Sequence, residues 1–126
     1  MSQGETILLV EDDPTILEMS LVMLERLGYR VLSTDNPNEA VRLAARETGT
    51  IDLLITDMIM PGMNGKELAV QLMARHPTLK LLYMSGYTAD VIAHHGVLDM
   101  GVHFLQKPFS HIELAAKVRE VLDEQG

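Results

Sequence analysis

The stretch LLITDMIMPG, residues 53–62, is an apolar run that ends on a single carboxylate, Asp57, and continues into a Pro/Gly loop. Strands that are buried on both faces of a sheet have continuous apolar runs of this kind. In open α/β sheets, ligands lie just beyond the carboxyl ends of the strands. The position of Asp57 therefore predicts a functional carboxylate, although an acid in this position can also cap a helix or end a turn.

Outward from this stretch, apolar runs alternate with helical patterns along the chain. The runs predict strands at Thr6–Val10, Tyr29–Thr34, Ile51–Thr56, Leu79–Met84 and Val102–Gln106. Cap residues predict helices that begin after Asp13, Asn36, Asn64 and Ser110, and a shorter helix is expected after Thr88. Five such units predict an α/β, flavodoxin-like, doubly wound fold, with a parallel sheet of strand order 2-1-3-4-5 and five helices.

Short sequence signals predict where several of these helices begin and end. Gly28 is expected to end the first helix, and His76–Pro77 to stop the third after about Arg75. A Glu follows three residues after the predicted caps Asn36, Asn64 and Ser110, a spacing that is typical of a capping box.

The composition predicts one acidic domain, with a core from about residue 6 to residue 124. Ten Lys and Arg residues against 18 Asp and Glu residues give a net charge of -8, which disfavours nucleic acid and anionic membranes as direct partners. The chain has no cysteine, no apolar run of membrane-spanning length and no signal peptide pattern. We therefore expect a cytoplasmic location.

The predicted strand order brings Glu11, Asp12 and Asp57 together at the switch point between the first and third strands. Carboxylates that converge repel one another, so either some are protonated or a cation is bound. Hard oxygen ligands suit Mg²⁺, with Mn²⁺ as a substitute. Asp13, followed by Pro14, is better explained as a helix cap than as a metal ligand.

Two further side chains are expected at the same edge of the sheet. Ser85 ends the fourth strand with a hydroxyl, and Lys107 ends the fifth with an ammonium. This set suits phosphoryl transfer onto a carboxylate, in which the cations neutralise phosphoryl oxygens, the hydroxyl donates to one of them and Asp57 attacks in line.

Four motifs at four strand ends give the chain its resemblance to the bacterial response-regulator receiver domain. They are Glu11–Asp12, Asp57 with Met60–Pro61 and Gly65, Ser85–Gly86, and Lys107–Pro108–Phe109. The resemblance covers about Thr6 to Glu124, and its specificity comes from the agreement of all four motifs in type, order and spacing.

The resemblance implies roles for these residues. Asp57 would be the phosphoacceptor, and Mg²⁺ would be bound by Asp12, Asp57 and the backbone carbonyl of Ile59, with Glu11 acting through water. Ser85 and Lys107 would contact the phosphoryl group. The Lys107–Pro108 bond would be the family's cis peptide.

The resemblance also implies a conformational switch. Ser85 would move towards the phosphoryl group, and the aromatic residue of the fifth strand, Phe104, would turn inward behind it. Many family members have Tyr at that position, so Phe104 would act by packing alone, and it is also explained simply as a core residue. Ile59 and Tyr87 lie where family members control the lifetime of the phosphoryl group.

The implied partner is a histidine kinase or a histidine phosphotransfer domain, and the protein would be no enzyme beyond its own phosphorylation and dephosphorylation. An output partner, not identified by the sequence, would bind the face formed by the fourth predicted helix, the fifth strand and the last helix. Residues 83–87, 96–98 and 104–109 resemble receivers attached to hybrid sensor histidine kinases.

Two other classes of function fit the residues less well. A phosphohydrolase with an Asp nucleophile usually has a second acid two residues later, where this chain has Ile59. A flavodoxin-type binder of small molecules needs a hydroxyl- or glycine-rich phosphate loop after the first strand, and Glu11–Asp12–Asp13 would repel phosphate.

Overall fold

A parallel five-stranded sheet forms the centre of the protein. The structure is a computed structural model, and it describes residues 4–58, 62–86 and 103–124. The strands are β1 (Thr6–Val10), β2 (Arg30–Thr34), β3 (Leu53–Asp57), β4 (Lys80–Ser85) and β5 (His103–Gln106). Their order, β2-β1-β3-β4-β5, confirms the predicted topology.

Four helices lie within the described residues. They are α1 (Pro14–Arg26), α2 (Pro37–Arg46), α3 (Gly65–Met73) and α4 (His111–Asp123). The short helix predicted after Thr88 falls in residues 87–102, outside the described part of the chain, and so does Val102. In the described part, no helix has the length and apolar character that a membrane crossing requires.

The strand β1 has its predicted bounds, whereas β2, β3 and β4 begin one or two residues later than predicted, and β3 and β4 also end one residue later. β3 starts at Leu53 instead of Ile51, and the Asp52 carboxylate just before it accepts a hydrogen bond of 2.8 Å from the Thr6 N–H at the entry of β1. β3 continues through Asp57, which is paired in register with Met84, and β4 continues through Ser85. Both predicted site residues are therefore strand residues whose backbone is fixed by the sheet.

The helix caps largely follow the sequence. Asp13 accepts from the N–H groups of Thr15 and Ile16, which confirms its capping role, and Gly28 follows α1 with a φ of 92°. Complete capping boxes begin α3, at Asn64 with Glu67, and α4, at Ser110 with Glu113.

Two helix predictions need correction. Asn36 caps α2, but the Glu39 carboxylate pairs with Arg42 and Arg46 and so does not complete a box. The helix α3 ends at Met73, two residues before the predicted end at Arg75, with Ala74 as its C-cap.

Each face of the sheet carries its own apolar core. One core contains Leu8, Val10, Leu54, Tyr83 and residues of α2 and α3. The other contains Ile7, Leu9, Ile55, Met84 and residues of α1 and α4. Because every central strand is covered on both faces, its carboxyl end is left as the place where polar side chains can converge.

Candidate functional site

Three carboxylates meet at the carboxyl edge of the sheet. Glu11 and Asp12 directly follow β1, and Asp57 is the last residue of β3. One carboxylate oxygen from each residue lies within 4.8 Å of the other two. Glu11 is fully buried and Asp57 is 8% exposed, whereas Asp12 is exposed to solvent. The predicted acid cluster is therefore present, with a buried floor and an open side.

Lys107 reaches into this cluster from the end of β5. Its Nζ lies 2.9 Å from Asp57 Oδ2 and forms a second ion pair with Glu11 Oε1. The Lys107 N–H donates to the Ser85 carbonyl at 2.7 Å, which fixes the lysine backbone against β4. The Lys107–Pro108 peptide is cis, at the position implied by the resemblance.

Burial and charge change the acidity of two groups in this cluster. Burial raises the pKa of Glu11 to about 7, against the opposing effect of the Lys107 ammonium and the Asp13 N–H. Burial alone would lower the pKa of Lys107, but hydrogen bonds to Glu11 and Asp57 outweigh it and the pKa is raised. Lys107 is thus a single ammonium among three acidic side chains. This imbalance of charge favours the binding of a further cation.

Ser85 and Phe104 lie on β4 and β5, the two strands that follow β3 in the sheet order. Ser85 is 2% exposed and follows Met84, the register partner of Asp57. Phe104 is half-buried on β5 and is paired with Tyr83 on β4. Ile59 and Tyr87 lie outside the described residues.

A row of side chains crosses the sheet near the carboxyl ends of four strands. Val10, Thr56, Tyr83 and Phe104 are register partners in four neighbouring strands. The Thr56 hydroxyl donates to the Asp57 carbonyl at 3.1 Å, so this row is joined directly to the residue that precedes the β3–α3 loop. Thr56 was not among the predicted site residues, because its only signal in the sequence is a hydroxyl inside an otherwise apolar strand.

Gly65 is a second residue whose role becomes clear only in the folded structure. It begins α3, and its N–H donates to the Met58 carbonyl at 2.8 Å. A Cβ atom at this position would lie 2.6 Å from the Asp57 carbonyl oxygen and 3.2 Å from Thr56 Cγ2. Only glycine allows the helix to approach the end of β3 this closely.

Comparison with known proteins identifies the class. Residues 7–119 match the family model of the response regulator receiver domain. The sensor kinase CckA of Brucella abortus is 34% identical over 125 residues, which is 99% of this chain and 13% of the kinase. The chain therefore belongs to the response-regulator receiver domain family and is a receiver domain of a two-component system.

Solved structures agree with this assignment. The receiver domain of the hybrid histidine kinase CckA superposes with a TM-score of 0.79 at 35% identity, covering 94% of this chain and 99% of that domain. The receiver domain of a sensor histidine kinase from Pseudomonas aeruginosa PAO1 has a TM-score of 0.80 at 25% identity, covering 96% and 99% of the two chains. That structure has a magnesium ion coordinated in its active site cleft.

Proposed function

We propose that the protein accepts a phosphoryl group on Asp57, from a histidine kinase or a histidine phosphotransfer domain, and changes conformation in response. The observation that carries the proposal is the contact between Asp57 and Lys107, 2.9 Å long, inside a cluster of three acids. A carboxylate held by an ammonium at the end of a buried strand is suited to attack an electrophile that is itself anionic.

The donor set supports a divalent cation as cofactor. Oxygen atoms of Glu11, Asp12 and Asp57 lie within 4.8 Å of one another, and hard oxygen donors fit Mg²⁺ or Mn²⁺. Asp12 and Asp57 would hold the ion directly, with the Ile59 carbonyl, and Glu11 would act through water. When bound, the cation supplies positive charge that neutralises phosphoryl oxygens.

The chemistry assigns one task to each of the chain's own groups. A carboxylate oxygen of Asp57 attacks phosphorus, and the bond from phosphorus to the donor breaks with its electron pair leaving on the donor. The Lys107 ammonium and the Ser85 hydroxyl stabilise the phosphoryl oxygens. In the later hydrolysis, the oxygen of a water molecule forms a bond to phosphorus and loses its proton to solvent, the Asp57 O–P bond breaks with its electron pair returning to the carboxylate, and inorganic phosphate is released.

We infer that Ser85 and Phe104 transmit the phosphorylated state. Ser85 is buried beside the register partner of Asp57, and Phe104 is half-buried on the edge strand. The output face would combine β5 and α4 with the helix predicted after Thr88, and Ile59 and Tyr87 would control how long the phosphoryl group survives. The family match to a hybrid kinase supports a kinase or phosphotransfer domain as the donor.

Incubation with Mg²⁺ and acetyl phosphate tests the proposal. Intact-mass measurement should detect one added phosphoryl group that hydroxylamine removes, as expected for an acyl phosphate and not for a phosphoserine. Asp57→Asn should abolish the addition, and Asp12→Ala or chelation of the metal should strongly reduce it.

Asp123→Asn is the matched control, because Asp123 is an acid at the end of α4 whose carboxylate is ion-paired with Arg119. It should be labelled like the wild type. Undiminished labelling of Asp57→Asn would overturn the assignment of the acceptor, and labelling that persists without metal would remove the role of the cation.

A further inference from the structure

The peptide between Asp57 and Met58 is held on both of its polar sides. The Met58 N–H donates to the Met84 carbonyl of β4 at 2.8 Å, and the Asp57 carbonyl accepts from the Thr56 hydroxyl at 3.1 Å. Because a peptide is planar, these two bonds together fix its orientation relative to the sheet. The peptide directly follows the Cα atom of the acceptor, so its orientation also decides where the Asp57 carboxylate can lie.

The position of this carbonyl explains why a side chain serves as its donor. The Met58 N–H faces β4, so the Asp57 carbonyl, on the opposite side of a trans peptide, faces β1. The ladder between β1 and β3 ends at the pair Val10 and Thr56, one residue before this carbonyl. The Thr56 hydroxyl therefore continues the hydrogen bonding of β3 past its last pair with β1.

The two branches of the Thr56 side chain have different neighbours. Its Oγ1 is bonded to the Asp57 carbonyl, whereas its Cγ2 lies 3.2 Å from the position that a Cβ atom of Gly65 would occupy. The methyl group thus packs against the first residue of α3, and Thr56 is only 1% exposed. A β-branched side chain has few rotamers, so the packing of the methyl group directs the hydroxyl at the carbonyl.

We propose that Thr56 is a positioning residue for the phosphorylation of Asp57. Its hydroxyl holds the peptide after Asp57 in the orientation in which the carboxylate lies 2.9 Å from the Lys107 ammonium, and its methyl group serves packing. Thr56 acts through the backbone of Asp57 and not on the phosphoryl group. The inference rests on the proposed function, because it assigns Thr56 to the same reaction.

The cost of losing the hydroxyl follows from the surroundings of the carbonyl. The helix α3 covers it so closely that a Cβ atom at Gly65 would lie 2.6 Å from the Asp57 carbonyl oxygen. A covered carbonyl that loses its donor is unfavourable, so the peptide turns towards another donor. This rotation displaces the Asp57 carboxylate, and a displacement of about 1 Å can slow a reaction by up to about a hundredfold.

The experiment compares Thr56→Val, which keeps the shape and removes the hydroxyl, with Thr56→Ser, which keeps the hydroxyl and removes the methyl group. Four quantities are measured: the phosphorylation rate with acetyl phosphate at saturating Mg²⁺, the Mg²⁺ affinity by calorimetry, the ¹³C NMR shift of the Asp57 carbonyl in metal-free protein, and the urea midpoint of unfolding. Thr34→Val is the matched control, because Thr34 is also a register partner of Val10 and its hydroxyl donates to the Asn36 carbonyl at 3.4 Å.

If the hydroxyl positions Asp57, Thr56→Val slows phosphorylation by at least about fivefold and weakens Mg²⁺ binding by about twofold. Its Asp57 carbonyl signal moves upfield, because a hydrogen bond to the carbonyl is lost. Thr56→Ser lowers the urea midpoint, since it leaves a gap of one methyl group, but it keeps the rate within about twofold and the carbonyl signal in place. Thr34→Val changes neither the rate nor that signal.

The inference is overturned if Thr56→Val is phosphorylated at the wild-type rate or keeps its Asp57 carbonyl signal in place. It is also overturned if the rates of the two Thr56 variants fall in the same order as their urea midpoints, as a purely structural role requires. Failure of the proposed function is a separate result, since it requires Asp57→Asn to remain fully labelled. The NMR and calorimetry measurements need no phosphorylation and decide the positioning role in either case.

Discussion

The two edges of the sheet use the same kinds of charged residue in opposite ways. At the carboxyl edge, one ammonium, Lys107, is shared between the carboxylates of Glu11 and Asp57, and a third acid, Asp12, lies within reach. At the amino edge, charges are met by partners. Arg119 binds Glu5 and Asp123 at 2.7 Å each, and it also reaches the Tyr29 hydroxyl.

Three further basic residues, Lys80, His103 and Arg30, continue the pattern at the amino edge. Lys80 donates to the Leu122 carbonyl at 2.8 Å and to the Glu124 carbonyl, which satisfies the end of α4. His103 lies 2.6 Å from Glu124, and Arg30 lies 3.1 Å from Glu47. Ion pairs and capped carbonyls at the amino edge hold neighbouring elements together. At the carboxyl edge, the three acids outnumber the one ammonium, so this edge can bind a positively charged ligand. The two edges therefore differ in whether their charges are balanced within the protein.

The largest expected difference between the edges comes from their two lysines. Lys107→Met should lower the rate of phosphorylation by acetyl phosphate about a hundredfold, because it removes a donor from the phosphoryl oxygens. Lys80→Met should leave that rate unchanged and lower the free energy of unfolding by about 1 kcal/mol, because it frees carbonyls at the end of α4. Intact-mass time courses and urea unfolding measure the two effects. Equal losses of phosphorylation in both variants would contradict the division between the edges.

Two glycines give the next effect. Gly65→Ala would place a Cβ atom 2.6 Å from the Asp57 carbonyl oxygen, so the start of α3 or the end of β3 must shift. We expect a loss of about 1–3 kcal/mol in unfolding free energy, and phosphorylation slowed about tenfold.

Gly49→Ala is the matched substitution at the amino edge, where the nearest atom, Glu47 Oε1, lies at 3.4 Å. It should change the unfolding free energy by less than about 0.5 kcal/mol and leave phosphorylation intact. A Gly65→Ala protein that is phosphorylated at the wild-type rate would show that this close approach does not position Asp57.

The smallest effect is a difference in the sign of pH dependence. In metal-free protein the pKa of Glu11 is raised to about 7, mainly by burial, so between pH 4.5 and 7 the folded state keeps a proton that the unfolded chain has lost. Stability should therefore fall as the pH rises through this window, and Glu11→Gln should flatten that slope.

Glu47 has the opposite behaviour. Its pKa is lowered, first by the hydrogen bond from Arg30, so its contribution to stability is present above the usual pKa of 4.5 and is lost as the pH falls through the lower folded value. Glu47→Gln should remove this loss on the acid side. Urea unfolding in EDTA between pH 3 and pH 8 measures both slopes, and a shared sign would refute the contrast.

The carboxyl edge was predictable from the sequence, and the amino edge was not. Parallel strands bring their carboxyl ends to one edge, so Glu11, Asp57, Ser85 and Lys107 could be placed together from strand order alone. The partners at the amino edge are joined by no motif: Arg119 and Glu5 are 114 residues apart, and His103, which has the side-chain partner Glu124, carries no signal for it.

The sequence pattern also does not specify the exact strand ends or the sharing of one side chain between two partners. The apolar pattern of β3 ends at Thr56, because Asp57 is polar, yet the hydrogen-bonded ladder includes Asp57. Lys107 contacts two acids because of how far their side chains and its own extend beyond the strand ends. Residue type and spacing in the sequence do not specify this.

The proposed switch would act over a distance set by the row of register partners Val10, Thr56, Tyr83 and Phe104. From β3, which ends in Asp57, to Phe104 on the edge strand β5 there are two strand spacings, about 10 Å in all. A folded chain of this length has a radius of gyration of about 14 Å. If the proposed switch operates, a displacement across two neighbouring strands would therefore link the acceptor near the centre of the protein to its edge, without any domain moving as a whole.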